Sequence, residues 1–168
     1  MTETIGLIAN VALALSFIVG LVFGIAQVSA AARDRRERLT LETLRAFQTR
    51  EFAELMYFII YRDMPTNREA MRALPADQQV LLMQFAQQME SLGILVAEGL
   101  IGIDLVDKTL GSFVTTSWGK YKTLFLGIRE QQPDPDPFLG EYFQWLAERI
   151  EERMLNHPRK PFYKVQKR

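Results

Sequence analysis

Between Glu3 and Arg33 the chain runs 29 residues without a charge, and its densest part, Phe17-Ile-Val-Gly-Leu-Val-Phe-Gly-Ile25, is apolar on every face of a helix. Such a helix has no polar side to turn toward water. A bilayer core about 30 Å thick takes about 20 helical residues. The stretch from Ile5 to Ala32 therefore predicts one transmembrane helix, long enough to span with some tilt. Beyond it the pattern becomes periodic. Leu41, Leu44 and Phe47 open it as a continuation of that helix. Phe52, Leu55, Met56, Ile59 and Ile60 then fall at i, i+3, i+4, i+7 and i+8, with Thr49 placed as N-cap and Glu51 in the first turn. Pro65-Thr-Asn67 breaks the chain, and a short helix is expected over Arg68–Leu74. Pro75 opens the next, with Leu81, Phe85, Met89 and Leu92 on one face and Gly93 ending or bending it.

The apolar run Ile94–Ile103 is interrupted by Glu98, Gly99 and Gly102, and is too short for a second span. A further helix is expected from about Asp104, itself the cap. It carries Val106, Leu110, Phe113, Val114 and Trp118, with a break at Gly119 and a continuation over Lys120–Ile128. Pro133-Asp-Pro-Asp-Pro137 reads as a stiff connector, with Asp136 as N-cap and Pro137 at the first position of the last helix. That helix carries Leu139, Tyr142, Phe143, Leu146 and Ile150. No strand pattern occurs. The expectation is an all-α protein in three parts: an anchor over 1–32, a bundle of five to six helices over 33–156, and a basic tail over 157–168.

The charges flanking the span orient it. Glu3 alone precedes it, whereas Arg33, Arg35, Arg36 and Arg38 follow within six residues. Basic residues stay on the cytoplasmic side, so the N-terminus is expected outside an inner membrane and the large domain in the cytoplasm. Val28-Ser-Ala30 also resembles a signal-peptide cleavage site. The absence of a basic residue before the span, and the arginine cluster directly after it, argue against export.

Within the span, Ala12, Ser16, Gly20 and Gly24 are spaced by four and share one ridge, and Gly20-Leu-Val-Phe-Gly24 is a GxxxG. Small residues let a second helix approach closely, so a self- or partner-helix contact is expected there. At the other end, no acid follows Glu152, while Arg153, Arg159, Lys160, Lys164, Lys167 and Arg168 do, with Phe162 and Tyr163 among them. This is either a solvated end or a contact with the anionic inner leaflet, which attracts each basic residue by about 1 kcal/mol.

Composition removes much chemistry. Lys plus Arg is 20 and Asp plus Glu is 20, so net charge points to no nucleic-acid partner. There is no Cys and a single His, His157, so neither a disulfide framework nor a Cys/His metal site is available. No phosphate loop or nucleophile elbow is present. No cofactor, metal or catalytic set is therefore expected. Glu90 is the best lone carboxylate candidate, though a structural bond at a helix end explains it more simply. A pocket lined by Phe85, Glu90, Trp118, Tyr142 and Trp145 is the one ligand site these residues suggest.

Several segments in order carry a resemblance: Thr40-Leu-Glu-Thr-Leu-Arg-Ala-Phe47, Arg50-Glu-Phe52, Phe85 through Glu90-Ser-Leu-Gly-Ile-Leu-Val96, Gly99-Leu-Ile101, Asp104-Leu-Val106, Leu110-Gly111, Trp118 and Tyr142-Phe-Gln-Trp145. Together they resemble the bacterial membrane-associated family known as domain of unknown function 4760, over residues 5 to 150. The resemblance implies a span followed by packed helices and brings no catalytic residues. The chain departs from it at Gly119, where the family places an acid. The functional expectation is a membrane-anchored, non-enzymatic assembly protein, a homo-oligomer or an accessory subunit. The alternatives are a ligand-sensing regulator and, behind it, a carboxylate-dependent enzyme.

Overall fold

The computed structural model describes residues 2–130 and 135–165. Every regular element among them is a helix: α1 Thr2–Ala46, α2 Arg50–Tyr61, α3 Arg68–Arg72, α4 Ala76–Ala97, α5 Ile103–Arg129, α6 Glu141–Asn156 and α7 Phe162–Val165. The all-α expectation holds. The chain divides into two compact units, Met1–Glu42 and Thr43–Arg168.

The first unit is formed by α1. From Ala12 onward this helix is long and apolar enough to cross a membrane, and none of its apolar window is buried. Leu13, Phe17, Phe23 and Val28 each expose between 66% and 73% of their surface. No polar face competes with them over this stretch.

The second unit buries its apolar stripes against one another. Thr49 caps α2 by accepting the Phe52 N–H at 3.1 Å. Phe52, Leu55 and Ile59 turn inward, while Met56 is half-buried and Ile60 lies at the margin, exposed. At the other end of α2 the Lys120 ammonium donates to the carbonyls of Ile59 at 3.0 Å, Ile60, and Arg62 at 3.2 Å. A cation there satisfies carbonyls that have no partner within the helix. Asn67 caps α3 through the Ala70 N–H at 2.8 Å, and α3 stops at Arg72 rather than Leu74.

Three boundaries differ from the pattern in the sequence. First, Gly93 does not end α4, which continues to Ala97. The stop lies at Gly99, whose φ of +66° suits a residue without Cβ. Its N–H donates to Val96 O and that of Leu100 to Leu95 O, both at 3.0 Å, closing the last turn as a Schellman motif. Second, Asp104 is not a cap: α5 starts at Ile103, Asp104 sits in its first turn and its carboxylate pairs with Arg153. Gly119 does not interrupt that helix, because a glycine inside a helix packed along its length costs only about 1 kcal/mol relative to alanine. Third, Pro137 does not begin α6. Residues 137–140 form a turn in which Asp136 Oδ1 accepts the Phe138 N–H at 3.3 Å, and α6 begins at Glu141. Pro133 and Asp134 of the connector lie outside the described residues.

α6 packs against both α4 and α5. At their meeting point sits an aromatic cluster. Phe85 lies 5.6 Å from Phe113, 5.1 Å from Tyr121 and 5.8 Å from Phe143, and Trp118 lies 5.2 Å from Phe143. The Phe85–Phe113, Phe85–Phe143 and Trp118–Phe143 pairs are edge-to-face, and such pairs add about 0.5–1.5 kcal/mol each beyond the area they bury. Around it Met89, Leu146 and Ile150 are fully buried, each contributing about 1.5–3 kcal/mol relative to exposure.

Candidate functional site

In the first unit, Ala12, Ser16, Gly20 and Gly24 are all exposed along α1. A Cβ built on Gly20 or Gly24 meets nothing within 4 Å among the described residues. Arg33, Arg35, Arg36 and Arg38 follow it, exposed, and none enters a salt bridge among the described residues.

In the second unit, Glu90 reaches across to the start of α6. Gly140, the N-cap residue, has no side chain to offer. Glu90 supplies one, 52 residues upstream of Tyr142. Its carboxylate oxygens accept the N–H groups of Tyr142 at 3.2 Å and Phe143 at 2.9 Å, the second and third positions of the helix. These are the donors an N-cap side chain ordinarily satisfies, and the helix dipole adds to the attraction for a negative charge. One turn further along α4, Gly93 faces the same segment. A Cβ there would lie 2.3 Å from the Tyr142 carbonyl oxygen, so only hydrogen fits. Glu90 and Gly93, three apart, form one contact: the glycine lets the α6 backbone approach and the carboxylate fastens it. Sequence reasoning marked both residues but missed their partnership. The available signal was their i, i+3 spacing, together with a final helix that lacks a capping side chain of its own.

The five residues expected to line one pocket are distributed differently. Phe85 and Trp118 are buried in the aromatic cluster, while Tyr142 and Trp145 are half-buried on α6. Of the five, Glu90 is the one that lines a cleft of about 430 Å³ walled by Met71, Met83, Ala86, Leu124, Ile128 and Leu139. Tyr121 also lines it. This side chain is 1% exposed, burial pushes its phenol well above its ordinary range, and its hydroxyl has no hydrogen-bond partner among the described residues. Outside the lining, Arg129 donates to the Leu139 carbonyl at 2.7 Å and to Gln144 Oε1 at 2.6 Å. Arg68 and Asp136 stand among the lining as the other charged groups. Among the described residues no cluster of His, Cys, Asp or Glu could hold a metal ion.

In the tail, Arg159, Lys160 and Lys164 are exposed, and Lys167 and Arg168 lie outside the described residues.

The chain belongs to the family described as domain of unknown function (DUF4760), whose model matches residues 14–150. The match takes in most of α1, all of α2 to α5, and α6 as far as Ile150. No curated protein and no solved structure matches the chain.

Proposed function

We propose that this protein is a membrane-anchored, non-enzymatic assembly module. In this reading α1 spans a bacterial inner membrane, the arginines at 33–38 hold the helical domain in the cytoplasm, and the ridge of α1 packs against another transmembrane helix, from a second copy or from a larger complex. The observation that carries it is the bare surface of α1: a charge-free apolar helix with none of its window buried, and with open space over Gly20 and Gly24 among the described residues. Lipid can cover its large side chains, but the row of small ones suits a close helix better than it suits lipid. Glu90 is engaged by the Tyr142 and Phe143 N–H groups, which favours a structural role for this carboxylate over an acid–base one.

The test is Gly20→Ile against Leu21→Ile in full-length protein at equal membrane levels. The first should insert normally yet lose cross-linking and co-purification with its partner, whereas the second should retain both. Equal behaviour of the two variants would remove the ridge from the reading. Orientation is tested separately by alkaline phosphatase fused after Arg168, which should remain inactive. An active fusion would reverse the topology and favour the exported, signal-peptide alternative.

A second reading, a ligand-binding regulator, is favoured by the apolar cleft at Glu90 and Tyr121. Filling it with Ala86→Trp should abolish retention of any co-purifying apolar molecule, as read by mass spectrometry of the purified protein. Unchanged retention would exclude the cleft as its site.

A further inference from the structure

α6 carries apolar side chains past the core it serves. Ile150 is fully buried, but Leu155, five residues on, is 82% exposed. Phe162 and Tyr163 follow in the single turn of α7, at 71% and 76%. Scattered exposed apolar residues are ordinary on a protein surface. Three within nine residues, interleaved with Arg159, Lys160 and Lys164, make a different composition, because solvated tails are poor in aromatic side chains. The charge is equally one-sided. No acid follows Glu152, and of the described basic residues beyond it only Arg153 is tied to a carboxylate, that of Asp104. Lys164 Nζ lies 5.9 Å from the Tyr163 ring centroid, so cation and ring occupy the same spot on the surface.

We infer that the segment from Leu155 to Lys164 is a second membrane contact, specific for anionic lipid. Leu155, Phe162 and Tyr163 enter the boundary between headgroups and acyl chains, where aromatic rings partition favourably. Arg159, Lys160 and Lys164 meet the lipid phosphates, each strengthening the contact about fivefold. An aliphatic side chain as bare as Leu155 gains from acyl chains and has little to gain from a phosphate backbone alone, so a bilayer fits the segment better than a nucleic acid does. The inference deepens the anchored reading and rests on it only for the tether that keeps the segment close to lipid.

The chain has no cysteine, so Asn156→Cys places a single environment-sensitive fluorophore beside Leu155. The labelled full-length protein is reconstituted in phosphatidylcholine vesicles with and without phosphatidylglycerol. In anionic vesicles the emission should shift to the blue and be quenched by nitroxides at the headgroup level, and 1 M salt should reverse both changes. Neutralising Arg159, Lys160 and Lys164 together to Gln should lower the bound-to-free ratio of the label about a hundredfold. Neutralising Arg72, Lys108 and Lys122 should leave it unchanged. Identical spectra in the two vesicle types, or equal losses in both triple variants, would overturn the inference. Resistance to carbonate extraction reports the anchor independently. Protein that is extracted yet still shows the anionic shift would refute the span and leave the second contact standing.

Discussion

α1 and α4 are both long and apolar enough to cross a membrane, yet 33% of the α4 window is buried against its neighbours and none of the α1 window is. The difference lies in what separates the apolar residues. In α4, Gln78, Gln79, Gln84, Gln87 and Gln88 interrupt the sequence and leave Leu82, Phe85, Met89 and Leu92 as one stripe. A stripe can be satisfied by protein on one side and water on the other. In α1 no such interruption occurs between Ala12 and Ala26, so no single protein face could cover it. Apolar content alone thus says that a helix leaves water, and periodicity says which solvent it leaves for.

The sharpest break of that comparison exchanges the same residue in the two settings. Phe143 is 0% exposed inside the aromatic cluster, and Phe23 is 66% exposed on α1. Phe143→Ala should destabilise the domain by about 3–5 kcal/mol, read as a fall in the near-UV thermal midpoint of the full-length protein in detergent. Phe23→Ala should leave that midpoint where it is. Next come two glycines. Gly93→Ala drives a methyl into the Tyr142 backbone, which cannot move without lifting α6, at a cost of about 3 kcal/mol. Gly20→Ala meets open space, so the same melt should not register it. The smallest effect belongs to the bond between α4 and α6. Glu90→Ala frees two N–H groups at the start of α6 and should cost about 2 kcal/mol, while Glu90→Gln, which keeps an acceptor, should lose less. Should Gly93→Ala melt like wild type, the close approach of α4 and α6 is mistaken.

Much of this architecture was legible in the residues. The Thr49 cap, the stripe of Phe52, Leu55 and Ile59, and the inward face of α5 from Val106 to Trp118 follow from period and capping chemistry, which are local. What was not legible is long-range. Gly93 and Gly119 look like breaks because a glycine weakens an isolated helix, yet one serves a contact 49 residues away and the other sits in a helix held along its length. Asp104 looks like a cap until Arg153 is brought beside it. The pocket expected from aromatic residues failed to gather because Phe85 and Trp118 are spent filling the core. The cleft formed instead between α3, α4, α5 and the turn before α6, a juxtaposition that no spacing along the chain announces.

The carboxylate of Glu90 also imposes an order on biosynthesis. α6 leaves the ribosome after α4 and α5, and it packs against both. Until residue 143 emerges, Glu90 has no N–H groups to receive, and Phe85, Met89 and Trp118 have no lid. A nascent chain at that stage would therefore carry the aromatic cluster uncovered, open to proteases and holdase chaperones. A chain stopped after Gly140 should persist in that condition and be degraded within minutes in pulse-chase labelling, whereas one stopped after Asn156 should survive like the full-length protein.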